Sequence, residues 1–257
     1  MEIYIVTGIL IFLGIIEVIT GVYANSKYRK DDWIINVLSI AQFAILIKPG
    51  IVFLTAILLD WLIPQYKDSL TNIAFWKGFI GFMLLDDFIQ YWYHRKGHEW
   101  NWLWKFHKTH HTTPSMNIGV AFRQNVFWFI FMPNLYLGGL AVYLGLGQEL
   151  VYVYIIKGTM ELLIHVGFRF DLILHKSKSL RPFVWILERI LALPDTHHMH
   201  HGLGDKGDDH VNYSSFLFMW DVIFGTAKFP HVKQDEFGTD DDPKLPWYKQ
   251  LYSPFIK

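Results

Sequence analysis

The sequence predicts an all-α, polytopic membrane helix bundle with a histidine-rich site at the ends of its helices, and three observations carry that prediction. Apolar runs of near-spanning length recur along the chain. Hydrophobic residues make up 52% of the 257 positions, while charged residues make up only 18%. Of the 13 histidines, most fall in two short windows, 94–111 and 197–210. The formal net charge is +0, so no basic field points to nucleic acid. The absence of cysteine excludes disulfides and thiolate chemistry.

A membrane span needs roughly 20 apolar residues. Residues 3–24 supply one, interrupted by Glu17 and followed by Lys27, Arg29 and Lys30. Positive charge after the run, rather than before it, reads as an uncleaved anchor and places residues 25–32 in the cytoplasm. Residues 33–63 are apolar apart from Asn36, Gln42, Lys48 and Asp60, with Pro49-Gly50 in the middle. Either one kinked crossing or two half-length pieces fits them, with the single crossing preferred. Residues 73–92, 126–146 and 150–166 complete a predicted set of five crossings. That parity brings the first histidine window and His165 to the cytoplasmic side, and Lys96, Lys105 and Lys108 agree with it. Trp100, Trp102 and Trp104 predict an interfacial aromatic belt. Residues 180–193 predict an amphipathic interfacial helix, and 231–257 a peripheral tail.

The histidines follow helical spacing. His94 and His98 are four apart, so they share one helix face. His107, His110 and His111 form an HxxHH pattern, which His197, His200 and His201 repeat. Adjacent histidines diverge by about 100° on a helix, which suits two metal ions better than one. Burying so many unpaired imidazoles is costly, and metal coordination removes that cost by binding the neutral form. Asp87 lies within roughly 20° of His94 and of His98 on a helical wheel. A carboxylate there either accepts the spare N–H of a liganding histidine or pairs with a lysine. Lys157, Glu161 and His165 repeat at four-residue steps on the 150–166 helix. Glu161 there either orients His165 as a ninth ligand or pairs with Lys157. Imidazole suits zinc, copper, iron and nickel alike, so ligand type leaves the metal open. Eight or nine histidines exceed one tetrahedral site and imply two ions, for which redox-active iron is preferred.

These motifs resemble the fatty acid hydroxylase superfamily, with its sterol desaturase, sterol methyl oxidase and alkylglycerol monooxygenase branches. The likeness runs from Asp87-Phe-Ile-Gln-Tyr-Trp-Tyr-His94-Arg-Lys-Gly-His98 through Trp104-Lys-Phe-His107-Lys-Thr-His110-His111 to Ala121-Phe-Arg123-Gln124. It resumes at His165, at Pro194-Asp-Thr-His197-His-Met-His200-His201-Gly202, and at Asn212-Tyr213, Trp220-Asp221 and Phe224-Gly225-Thr226. The resemblance implies that His94, His98, His107, His110, His111, His197, His200 and His201 hold two iron ions, with His165 a further ligand. Asp87 and Glu161 are the acidic residues expected to assist catalysis. It also implies O2 as co-substrate, a lipid substrate (fatty acyl, sterol or ether lipid) that is hydroxylated or desaturated, and electrons from a separate cytochrome, ferredoxin or reductase. On this reading 1–70 is a transmembrane anchor region and 71–230 the catalytic domain, ahead of the tail. Two positions depart from the family pattern. Gly167 stands where many members have Asn, and His210 where many have an acidic residue, so that His210 is either an extra ligand or simply polar. Rival readings are a zinc-loaded homologue, a membrane metal-binding or transport protein, and a di-haem carrier.

Overall fold

The computed structural model describes residues 1–239 and 244–256, and among these it contains thirteen α-helices and no β-strand. Helix α1 (Glu2–Ile19) is followed by α2 (Lys30–Gln42) and α3 (Lys48–Leu62). A π-helical turn over Phe43–Ile47 joins the last two into one apolar run of 33 residues, Lys30–Leu62. The proline at position 49 has no N–H to give to an α-helical ladder, and it stands at the start of α3 just after the π turn, where its missing donor is tolerated. Residues 33–63 are therefore one element, as preferred from the sequence.

Helix α4 (Phe75–Glu99) leads into α5 (Asn101–His111) through a sharp break at Trp100. Helices α6 (Val126–Ile130) and α7 (Pro133–Tyr143) together make another apolar run. Helix α8 (Gly147–His165) meets α9 (Phe170–Lys176) at a 77° bend. The amphipathic α10 (Arg181–Ile190), then α11 (Pro194–His201), α12 (Met219–Phe224) and α13 (Trp247–Tyr252) complete the chain. Three helical runs, Glu2–Ile19, Lys30–Leu62 and Val126–Tyr143, are long and apolar enough to cross a membrane, and α8 with α9 makes a fourth if counted as one bent span. The fifth expected crossing, α4, is long enough at 25 residues but carries Asp86 and Asp87 near its middle. The chain is a multi-pass membrane helix bundle.

Helices α1 and α3 send large apolar side chains outward, including Phe12, Ile15, Phe53, Leu54 and Trp61. Such faces suit acyl chains, because only helices with internally paired backbones can meet lipid. Inside, α1 packs on α8 around Leu13, Ala121, Leu162 and Val166. Helix α3 lies against α7, where a Cβ on Gly139 would come within 2.8 Å of the Val52 carbonyl oxygen. That close approach is the small-residue packing by which membrane helices associate.

One element differs from expectation. The predicted peripheral tail is docked over α13, which packs against α2 and α6 with Leu251 buried. The Gln250 side-chain carbonyl accepts hydrogen bonds from Thr112 Oγ1 (2.9 Å) and Arg123 (3.2 Å), and its backbone carbonyl accepts one from Thr109 Oγ1 (2.8 Å). Residues 240–243 and 257 of that tail lie outside the described residues. Helix α10 does show the expected amphipathic pattern, with Phe183, Trp185 and Ile186 exposed and Val184 and Glu188 buried.

The bundle interior holds one ionic contact that α4 and α8 depend on. Lys157 Nζ lies 2.5 Å from Asp86 Oδ2 and 3.3 Å from Asp87 Oδ1, with all three side chains buried or nearly so. Removing one partner of a buried pair strands the other charge, which costs about 3–5 kcal/mol. Lys157→Met, which strands two carboxylates, is therefore expected to lower the thermal midpoint of the detergent-solubilised protein by far more than Lys67→Met at the exposed Asp60 pair.

Candidate metal centre

All nine histidines singled out by spacing converge at one end of the bundle. Helix α4 delivers His94 and His98 in its last two turns, α5 delivers His107, His110 and His111, α8 ends on His165, and α11 delivers His197, His200 and His201. They form two sets. His94, His98, His107, His111 and His200 make the first, and His110, His165, His197 and His201 the second, with the ligand atoms of each set within 4.8 Å of one another. The adjacent pairs His110-His111 and His200-His201 split between the sets, as the 100° divergence requires. His111 and His201 stack across the boundary at 4.3 Å between ring centroids.

Backbone carbonyls fix how the rings are turned. Nδ1–H of His94 donates to the Tyr213 carbonyl (2.6 Å), of His110 to Arg123 (3.1 Å), of His165 to Glu161 (2.7 Å) and of His200 to Val211 (2.7 Å). A carbonyl can only accept, so Nδ1 carries the proton in these four rings and Nε2 presents a lone pair. Those lone pairs nevertheless face each other: Nε2 of His94 is 3.0 Å from that of His200, and Nε2 of His110 is 3.3 Å from that of His165. Two acceptors at this distance need a cation between them. A proton is disfavoured, since burial first and neighbouring imidazoles second push His110 and His200 well below the ordinary histidine pKa. His107, His111, His197 and His201 are lowered for the same two reasons.

The spacing fits a metal. An ion about 2.0–2.1 Å from each imidazole nitrogen sets neighbouring nitrogens about 3.0 Å apart in an octahedron and about 3.4 Å apart in a tetrahedron. Besides the two pairs above, His107 and His111 approach to 3.3 Å, His165 and His197 to 2.9 Å, and His197 and His201 to 3.1 Å. The donor set is entirely neutral nitrogen, which suits iron, zinc or copper.

Several expected contacts are different. Asp87 does not accept from a liganding histidine. Its Oδ2 takes the backbone N–H of Leu217 (3.0 Å) and the indole N–H of Trp220 (3.1 Å), while Oδ1 faces Lys157. The lysine-paired alternative is the one observed, because a helical wheel gives a direction but not what the opposing helix places there. Glu161 orients His165 through its backbone carbonyl, and its carboxylate stays 3.7 Å from Nδ1. Of the three tryptophans, Trp100 and Trp102 are exposed, but Trp104 lies against His98 (5.0 Å) and His111 (5.4 Å) as part of the wall of the first set. His198 is buried outside both sets, with its ring against Phe237. His210 is exposed and paired with Asp209, so it is polar rather than a tenth member. At Gly167, the backbone N–H donates to Glu17 (2.7 Å), and a Cβ would come within 2.7 Å of the Met116 carbonyl oxygen, which leaves no room for the Asn common at this position.

Sequence reasoning quoted Arg123 and Asp221 in the family motifs without a role; they hold the carbonyls in place. Asp221 accepts from the N–H groups of Tyr213 and Ser214 (both 2.8 Å) and from Thr226 Oγ1 (2.6 Å), so it sets the loop whose carbonyl turns His94. Arg123 is fully buried, bound to Asp32 (3.0 Å) and to the Thr109 carbonyl (2.9 Å), while its own carbonyl turns His110. On the opposite side of the histidines, a cavity of about 530 Å³ runs between α1, α3, α4 and α8. Val6, Leu10, Phe43 and Val52 form apolar wall, and Lys48, Asp86, Gln90, Lys157 and Glu161 are among its polar groups. Trp128 also lines it and stacks on His107 at 4.1 Å, so the cavity and the first histidine set share one ring. Partners behind metal-binding histidines are commonly worth 10–100-fold in affinity. Asp221→Ala is accordingly expected to weaken metal retention by about 10–100-fold, read by chelator competition, with helical circular dichroism unchanged.

The fatty acid hydroxylase family model matches residues 79–226. Alkylglycerol monooxygenase of Homo sapiens is 31% identical over 163 residues, which is 62% of this chain and 32% of that protein. Its counterpart in Danio rerio is 32% identical over 158 residues, 60% of this chain and 30% of that protein. The Xenopus tropicalis protein is 28% identical over 158 residues. The matched stretch thus spans under a third of these relatives' own length. No solved structure matches the chain. With more than half of its length matched by the family model, the chain belongs to the fatty acid hydroxylase family.

Proposed function

We propose that this protein is a membrane-bound, O2-dependent di-iron oxygenase that hydroxylates an alkyl C–H bond of a lipid. The carrying observation is the pair of histidine sets with Nε2 lone pairs turned toward one another beside an apolar cavity. The five residues His94, His98, His107, His111 and His200 would hold one ion, and His110, His165, His197 and His201 the other. Two irons bound there supply the O2 reduction that C–H oxidation needs, with electrons from a separate cytochrome, ferredoxin or reductase. Among fatty acyl, sterol and ether lipids, the relatives named alkylglycerol monooxygenase favour an ether lipid. A cavity of about 530 Å³ is within the usual range for an organic ligand, about 300–1,000 Å³.

The chain's own groups have assignable parts. The apolar wall would bind the alkyl chain and exclude water, and Trp128 would fix how closely that chain approaches His107. Glu161 sits at the cavity one turn before His165, where its carboxylate would hold or pass a proton near the reacting carbon. Asp87 would act by position only, through Leu217 and Trp220.

The site is assigned to the cytoplasmic side. The segment after α1 lies beside the end of α5, where Tyr28 Oη is 3.1 Å from Thr113 Oγ1 and the Lys27 N–H donates to Ser115 Oγ (3.1 Å). Lys27, Arg29 and Lys30 therefore share the histidine end with Lys96, Lys105 and Lys108, as the positive-inside tendency expects. Transport is disfavoured because the histidines gather at helix ends instead of lining a path at mid-span. The test is expression in an ether-lipid-containing host supplied with iron, alongside His110→Ala and His200→Ala. Mass spectrometry should find an oxygenated lipid only with the unaltered protein, and metal analysis should find about two irons per chain. Identical lipid extracts from an iron-loaded protein would overturn the oxygenase reading, and a zinc-filled site would favour the zinc-loaded homologue.

A further inference from the structure

A second histidine–carboxylate cluster lies apart from the nine-histidine centre, where α9, α10 and the segment after Phe229 meet. It consists of His175 from α9, Glu188 from α10 and His231 from that segment, and their ligand atoms lie within 4.8 Å of one another. Both imidazoles address the same oxygen. Nε2 of His175 is 3.0 Å and Nε2 of His231 2.8 Å from Glu188 Oε2, with the two rings 4.0 Å apart. The His231 ring can satisfy that oxygen as a hydrogen-bond donor. The His175 nitrogen cannot: it is buried and makes no hydrogen bond.

The other Glu188 oxygen is already committed, accepting from Arg189 (2.7 Å), whose guanidinium in turn lies over the Trp185 ring at 3.7 Å. Glu188 is itself buried, so its charge is held in place by Arg189 on one side and offered to the imidazoles on the other. Two imidazoles and one carboxylate are the donor set of a three-ligand zinc site, with a fourth position left for water. The donor spacings of 2.8 and 3.0 Å are shorter than the separation of about 3.4 Å that a tetrahedral zinc ion sets, so an ion would enter with a small outward shift of the exposed His231 ring. His231 is 40% exposed on its side chain, which gives an ion a path from water.

We propose that His175, Glu188 and His231 bind a third metal ion, zinc, at a site separate from the nine-histidine centre. The site would clamp three chain segments together. Its backbone setting supports this, since His231 adopts a left-handed φ of 50°, uncommon for a non-glycine residue. The His231 N–H donates to Asp195 Oδ2 (2.7 Å), at the start of α11, two residues before His197. Zinc there would tie the interfacial α10 to the helix that carries three centre histidines.

The test counts metal. The full chain, purified in detergent after growth with zinc and iron, is compared with His231→Ala and Glu188→Gln by mass-spectrometric metal analysis. The exposed His231 side chain is compatible with removal, and the glutamine keeps a hydrogen-bond acceptor, so a merely hydrogen-bonded cluster would not respond. Each variant is expected to lose one zinc per chain while the metal of the nine-histidine centre is retained. Zinc content unchanged in either variant overturns the proposal. The count is independent of lipid oxidation, so its failure and that of the oxygenase reading are separable.

Discussion

Four imidazoles in this protein have their Nδ1 protons committed to backbone carbonyls, and the rest of the site depends on that commitment. Once Nδ1–H is spent on Tyr213, Arg123, Glu161 and Val211, the Nε2 lone pairs of His94, His110, His165 and His200 have nowhere to point but at one another. An apolar surround makes protonation a poor remedy. The arrangement is thus preorganised for a multivalent cation, and the outer ring nitrogen determines what the inner one can bind. Preorganisation of this kind is demanding, because each carbonyl must itself be immobile.

Carboxylates supply that immobility, and they do so in a repeated way. Glu17 accepts from the N–H groups of Ile118 and Gly167, Asp87 from Leu217, Asp195 from His231, and Asp221 from Tyr213 and Ser214. Each is buried, and each satisfies backbone donors that the loops between helices would otherwise leave unpaired. Buried loop backbone cannot rely on water for this, and a carboxyl group offers two oxygens that can accept. These four carboxylates act as joints between loops and helices.

The helices and the histidine groups were legible in the sequence because both are properties of one local segment. Spacings of three and four residues say which imidazoles share a face, and splitting HH pairs between two sets follows from helical geometry alone. What was illegible depends on two segments meeting. The partner of Asp87 sits on α8, and the Asp86–Lys157 contact spans 71 positions. Carbonyl oxygens have no residue identity, so nothing in the letters marked the carbonyls of Tyr213 and Val211 as partners of histidines. Trp104 looked like a neighbour of Trp100 and Trp102, yet α5 turns its ring onto His98. The docking of α13 was hidden for a related reason: Gln250 is unremarkable until the open donors of Thr112 and Arg123 are in view.

The position of the centre in the fold also separates two demands that conflict. On the proposed function a hydrophobic substrate would arrive from the bilayer, while electrons and protons would arrive from water. The cavity is lined by α1, α3 and α8 among others, and Trp128 on its wall stacks on His107. Beyond the histidines lie the polar loops 204–213 and the basic residues of α5. Trp128 and Glu161 stand where these two environments meet, one touching His107 and the other one helical turn before His165. On the proposed function, an oxidation at that boundary would keep its reacting carbon dry while the histidine end stays beside the polar loops that a separate electron donor could reach.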